Sequence, residues 1–187
     1  MSNIVLASAS PRRQELLKLI FNEFSVVPSD AEETVPDSLG AEETAEYLAR
    51  IKADFVAKKH PESTVIGADT CVVAGDTVLG KPKDINDARK MMKMLSGKTH
   101  KVITGCAIVK DGKVTSFSSE TQVEFYSLTD GEIEEYINTD EPYDKAGGYG
   151  IQGKASLFVK GIKGDYFNVV GLPVAELSRK LEKFKKL

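Results

Sequence analysis

Residues 4–20 read IVLASASPRRQELLKLI, and the fold turns on how this stretch is parsed. Ile4 to Ala7 are apolar and suited to a buried strand, Ser8-Ala9-Ser10 ends the run, and Pro11 stands where the first residue of a helix has no use for its N–H. Ser10 is then the expected N-cap, with Leu16, Leu17, Leu19 and Ile20 forming an apolar stripe on the helix behind it. The unit is strand, hydroxyl-rich turn, helix. Arg12 and Arg13 fall in the first helical turn, beside the positive end of the macrodipole, where each cation costs roughly 0.3–1 kcal/mol. A polyanion held by the turn's N–H groups, the seryl hydroxyls and both guanidinium forks removes that cost, and two solvated surface arginines are the plain alternative. On the first reading, replacing Arg13 by Ala leaves the ligand-free fold as stable as before, or slightly more so.

A chain of 187 residues with 41% apolar content can build a full core, as one domain or one domain with two lobes. The net charge of −3 argues against a general nucleic-acid binder, which carries a basic balance or a basic stripe. Anion binding must therefore be local. Cys71 and Cys106, the two cysteines, each sit in an apolar run and read as buried core thiols, as suits a reducing cytosol. No apolar run approaches the ~20 residues of a membrane span, and the N-terminus has no secretory pattern.

Further along, residues 24–27 predict a short strand, 28–33 an acidic loop, and 41–59 a helix ended by His60-Pro61. Residues 64–68 and 71–74 predict strands interrupted at Asp69-Thr70, with Gly75-Asp76 turning the chain into 77–79. Asp84 is a good N-cap for a helix to Leu95, stopped by Ser96-Gly97. Asp111-Gly112 between two alternating runs predicts a long hairpin over 100–126. Thr129 and Glu132 form a capping box for a helix from Asp130 to about Ile137. Residues 139–154 are glycine-rich without a period, strands are predicted at 156–159 and 166–170, and a last amphipathic helix runs from Pro173 to about Phe184. The expected class is α/β with a mixed sheet flanked by helices.

Two phosphate motifs nearly match and fail. Gly75 to Lys81 fits GxxxxGK, but Pro82 stands where a P-loop needs Ser or Thr, and the glycines flank a hairpin. Gly148-x-Gly150-x-x-Gly153 fits a dinucleotide fingerprint, but it precedes a predicted strand where that motif needs a helix. Asp69 is more informative, because a carboxylate in an apolar strand pair costs several kcal/mol unless compensated. It is a structural cap, a metal ligand or a general base. One of Glu32 and Glu33 joining Asp69 would suit magnesium, which keeps several waters and takes one or two carboxylates. Lys52 and Lys81 are the further candidate cations, each also readable as a surface lysine. The two histidines, His60 and His100, make no zinc motif.

SASPRRQELL at 8–17 resembles the signature of the Maf family of nucleoside triphosphate pyrophosphatases. The likeness continues in GADT at 67–70, GKP at 80–82, SGKTH at 96–100 and EPYDKAGGYGIQG at 141–153. It implies a single domain over 1–187, with an elongated central sheet and two lobes around a cleft, similar to the inosine triphosphate pyrophosphatases. It also implies a cytoplasmic, often dimeric enzyme that converts a nucleoside triphosphate to the monophosphate and pyrophosphate with a divalent metal, Mg2+ or Mn2+. Carried over residue by residue, Asp69 accepts the proton of the attacking water and shares the metal with Glu33, while Ser8, Arg12, Arg13, Lys52 and Lys81 hold the triphosphate. Arg12, Thr70 and Gln152 match the positions that sort substrates, and Asp69-Thr70 resembles the branch acting on dTTP and UTP rather than that associated with 7-methyl-GTP. A non-catalytic nucleotide- or nucleic-acid-binding regulator of cell division is the rival reading.

Overall fold

The opening parse is the one the chain adopts. The computed structural model describes residues 3–36 and 38–184. Strand β1 (Ile4–Leu6) leads through the seryl turn into α1 (Pro11–Leu17), with Pro11 at its first position and the Ser10 hydroxyl accepting from the Arg13 N–H. The helix is shorter than its apolar stripe suggested. Leu16 and Leu17 are buried, whereas Leu19 lies beyond the last helical residue and is 64% exposed.

Strand β2 (Ser25–Val26) and helix α2 (Ala41–Ala57) follow, then β3 (Thr64–Ala74) and β4 (Thr77–Leu79). Here the expectation of two strands interrupted at Asp69-Thr70 is corrected: β3 runs unbroken through both residues. Helix α3 (Ile85–Leu95), capped by Asp84, precedes the long hairpin β5 (Thr99–Lys110) and β6 (Lys113–Phe125). Its turn residues Asp111 and Gly112 both have positive φ, 50° and 73°, as a primed turn requires. Helix α4 (Asp130–Ile137) has both halves of the capping box formed between Thr129 and Glu132.

The remaining segment departs from expectation in two places. Residues 154–158 form a 3-10 turn instead of a strand, and the strand, β7 (Val159–Lys163), comes directly after it and pairs antiparallel with β6. Tyr166–Val170 is helix α5, although its β-branched and aromatic residues favour a strand. Local polar bonds override that propensity. The Asp165 carboxylate accepts from the Phe167 N–H at 2.8 Å, and buried Asn168 donates to the Val102 carbonyl at 3.0 Å and to Thr121 Oγ1 at 2.9 Å. Helix α6 (Val174–Phe184) closes the described chain.

The sheet is mixed, in the order β2-β1-β3-β5-β6-β7, with β4 paired to β3; β1 is parallel to both neighbours. Packing divides the chain into two compact units. The first comprises the described residues up to Asp69 together with Thr104–Ser119 and those from Gly171, around a core of Val5, Val56, Val65, Ala107 and Val109. The second comprises Thr70–Ile103 and Glu120–Val170, around Met92, Leu95, Phe125, Ile137 and Tyr149. Cys71 and Cys106 are buried thiols, as expected. Among the described residues no helix is long and apolar enough to cross a membrane.

The core of the second unit holds one imidazole. His100 is 2% exposed, packs edge-on against Phe125 and Tyr149, and shares a 2.6 Å hydrogen bond between Nε2 and the Tyr149 hydroxyl. Its Nδ1 finds no hydrogen-bond partner among the described residues. Burial brings its pKa down from 6.5 to about 4. Between those values the unfolded chain binds a proton that the folded one refuses, so this contribution to stability is whole above pH 6.5 and is lost as pH falls towards 4. The expected loss is about 3 kcal/mol at the acid end. Urea midpoints taken from pH 7.5 to pH ~4.5 should fall in the wild type and fall less steeply in His100→Gln; parallel profiles would assign the acid lability to other groups.

Candidate active site

Helix α2 meets the sheet through its smallest side chains. Ala45, Ala49 and Ala53 recur every fourth residue and are fully buried. Opposite them, a Cβ at Gly67 would overlap the Ala49 carbonyl oxygen and lie 2.9 Å from the Ala53 Cβ, and one at Gly105 would overlap the Ala45 backbone. Only glycine permits that approach. It brings Lys52, beside Ala53 on the helix, to Asp69, two residues beyond Gly67 on β3. Lys52 Nζ lies 2.6 Å from Asp69 Oδ1 and 3.1 Å from Glu33 Oε2. One ammonium thus bridges two carboxylates, and the Lys52 and Asp69 side chains are only 14% and 17% exposed. Removing one member of so desolvated a pair costs about 3–5 kcal/mol, because the other charge is left uncompensated.

The hydroxyl-rich turn follows the strand that neighbours β3. Strands β1 and β3 run parallel with Leu6 opposite Ile66, and the Ala7 N–H donates to the Ile66 carbonyl at 2.8 Å. Ser8 thus follows the carboxyl end of β1, and Asp69 lies three residues beyond Ile66 within the adjacent parallel strand β3. Ser8 is buried, and its Oγ accepts from the Ser10 N–H and from Arg13 Nη1, each at 3.3 Å. Arg13 also donates through Nε to the Gly171 carbonyl at 2.9 Å. Burial lowers the pKa of its guanidinium and the Asp69 charge opposes that fall. Cys106, beside this arginine, has its thiol pKa pushed up to about 12 by burial, so it stays protonated and inert. Arg12 is half-buried on the same turn.

Of the residues singled out in the sequence, the first unit brings Ser8 to Arg13, and Lys52 to Glu33 and Asp69. Among the described residues no three His, Cys, Asp or Glu side chains cluster as a ready-made metal cage. Thr70, Lys81 and Gln152 belong to the second unit. Thr70 continues β3 and is half-buried, Lys81 is exposed just after β4, and Gln152 is exposed between two 3-10 turns. The loop at Gly80 is tied to the glycine-rich segment by a Gly147 N–H to Gly80 carbonyl bond of 2.9 Å.

Two features of the site escaped the sequence reading. Gly67 carries a strand-glycine signal of close backbone approach. Glu141, inside the EPYDKAGGYGIQG run, carries no signal of its own, because its partners are backbone groups up to fourteen residues away.

The model of Maf-like proteins matches residues 3–184. The chain belongs to the Maf family. It is 50% identical over 184 residues to a dTTP/UTP pyrophosphatase of Bacillus cytotoxicus, covering 98% of this chain and 96% of that one. It is 49% identical over 187 residues to a protein of the same name from a Geobacillus species, covering 100% and 99%. Among solved structures, the Staphylococcus aureus Ham1 protein superposes with a TM-score of 0.56 at 18% identity, over 97% of this chain and 99% of that one. A HAM1 protein from Coxiella burnetii gives 0.54 at 16% identity, over 98% and 100%. These two share the fold with this Maf protein, which agrees with the expected mixed sheet flanked by helices.

The bond from Arg13 to Gly171 revises one expectation. A guanidinium engaged with a backbone carbonyl and a buried seryl hydroxyl contributes to the ligand-free fold as well as to any anion. Arg13→Ala is expected to lower unfolding stability by about 1.5–3 kcal/mol, the range for hydrogen bonds to charged groups, with Arg13→Lys recovering little because an ammonium lacks the fork. Urea unfolding without nucleotide checks this, and an unchanged midpoint would restore a purely ligand-directed role.

Proposed function

We propose that this Maf protein hydrolyses dTTP and UTP to the nucleoside monophosphate and pyrophosphate. The observation that carries the reading is the Lys52 ammonium bridging Glu33 and Asp69 beside strand β3, in a chain half identical to proteins named for that activity. Lys52 holds Asp69 by one oxygen, Oδ1, which orients the other to take a proton from water attacking the α-phosphorus. The guanidinium groups of Arg12 and Arg13 and the Ser8 hydroxyl bind phosphate oxygens, where fixed donors stabilise developing charge. Lys81 is the further cation assigned to the triphosphate.

A pair of carboxylates already drawn to one ammonium fits a hard divalent ion that keeps waters and takes its other ligands from phosphates. Glu33 and Asp69 would hold such an ion, Mg2+ or Mn2+, and it would supply charge neutralisation on the phosphate oxygens. Thr70 and Gln152, with Arg12, sort the base. Gln152 offers an amide N–H and a carbonyl to the O2, N3 and O4 edge of a pyrimidine, while Thr70 limits the space beside Asp69. The protein acts on free nucleotides in the cytoplasm, and a dimer is the assembly that suits its family.

Incubation with UTP or dTTP and Mg2+ in 18O-water should yield the monophosphate and pyrophosphate, with the label in the monophosphate. Label in pyrophosphate, or release of inorganic phosphate, would place the attack elsewhere; tight binding without turnover would favour a regulator. In Asp69→Asn, turnover should fall by roughly 10²–10⁴, the range for loss of a general base, in a protein shown by circular dichroism to be folded.

A further inference from the structure

Gln152 sits in a segment whose backbone is held by a single carboxylate from elsewhere in the chain. Glu141 opens the 3-10 turn Glu141–Asp144, the next element after α4. Its Oε2 accepts from the Lys154 N–H at 2.8 Å, and its Oε1 accepts from the Ala155 N–H at 3.4 Å. Those amides open the 3-10 turn Lys154–Phe158, whose own N-cap, Gly153, has no side chain to offer them. The cap is therefore supplied from outside the segment.

The other end of the segment is tied to the same group. The Tyr136 hydroxyl lies 3.3 Å from Glu141 Oε1 and 3.1 Å from the Gly148 carbonyl, so one phenol links the carboxylate to Gly148. Burial, reinforced by the Glu141 charge, raises the Tyr136 pKa and keeps the phenol a donor. Lys145 adds a 2.7 Å bond from Nζ to the Glu141 carbonyl. Space is closed as well: a Cβ at Gly153 would collide with the Glu141 carboxylate, and one at Gly150 would lie 2.9 Å from Lys145 Cε. Residues 148–155 are thus clamped at both ends with Gln152 exposed between them.

We propose that Glu141 is a positioning residue for substrate selection, fixing the backbone from which Gln152 reaches the pyrimidine. This rests on the reading of Gln152 given above. A base-reading amide discriminates only if it is held in place, since a mobile side chain spends binding free energy on becoming ordered. Truncating Glu141 frees Lys154 and Ala155 and slackens the segment without touching any group that meets phosphate.

The test compares kcat/KM for UTP and GTP in wild type, Glu141→Ala, Glu141→Gln, Gln152→Ala and the Glu141→Ala/Gln152→Ala double variant, with a thermal midpoint for each. Wild-type turnover on UTP tests the activity reading by itself. For the proposal, Glu141→Ala should lower the UTP:GTP ratio by about tenfold or more, as should Gln152→Ala, and the double variant should fall no further than the lower single one. Glu141→Gln keeps an oxygen for the Lys154 N–H and an amide to donate to the Tyr136 oxygen, so it should recover most of the ratio. Hydrogen exchange without nucleotide should quicken at amides 149–155 in Glu141→Ala and stay unchanged in Gln152→Ala. Equal falls for both nucleotides would make Glu141 a structural cap and overturn the proposal. Additive losses in the double variant, or an unchanged ratio in Gln152→Ala, would overturn it equally.

Discussion

The candidate site depends on how closely α2 can approach the sheet. Ala45, Ala49 and Ala53 face Gly67 and Gly105 with no room for another carbon, so the helix is set down on backbone rather than on side chains. Such an interface is stiff, because a close-packed contact without rotamers has few alternative arrangements. The stiffness passes to Lys52, whose long side chain would otherwise hold an ammonium poorly. Anchored beside Ala53, it reaches Asp69 on the strand and Glu33 on the loop between β2 and α2. Backbone proximity thus becomes a fixed distance between two carboxylates, from residues that carry no charge.

The second unit meets the same demand by other means. Its loops are long, and polar groups from distant segments hold them: Glu141 caps a turn it does not belong to, and the buried Asn168 side chain of α5 bonds to Val102 and Thr121. His100 and Tyr149 form another such tie inside an aromatic cluster. Each bond made away from water is worth more than at the surface, and each leaves a costly orphan if one partner is removed. Gly147 and Gly148, at φ 69° and 72°, provide the backbone turns that direct this loop, and any side chain there is strained.

These two ways of building explain what could be read in the sequence. Ser10-Pro11, Asp84, Asp111-Gly112 and the Thr129/Glu132 box act within four residues of themselves, and each marked its element correctly. The acid and cation candidates were visible as residue types, but the pairing of Lys52 with Glu33 and Asp69 joins residues nineteen and seventeen positions apart and has no local trace. The error at 166–170 has the same origin. Tyr-Phe-Asn-Val-Val favours a strand, and the bonds that make it a helix come from β5, β6 and Asp165. Continuity of β3 through Asp69 was missed because a carboxylate in an apolar strand looks like an interruption until its ammonium is known.

Charge balance in the first unit bears on what the site requires from outside. Of the candidate residues in the first unit, Arg12, Arg13 and Lys52 are cationic and Glu33 and Asp69 anionic, an excess of one positive charge, and the ammonium is already shared by the two acids. That arrangement is stable without ligand, since no charge is left alone in a desolvated place. It is nevertheless too nearly neutral to offset a polyphosphate. Were a triphosphate to settle there, further positive charge would have to come with it. A divalent cation held by Glu33 and Asp69 would bring such charge, since both present the hard oxygen ligands it takes. On the proposed reading, the near-neutrality of this ion pair would couple the binding of nucleotide to the binding of metal.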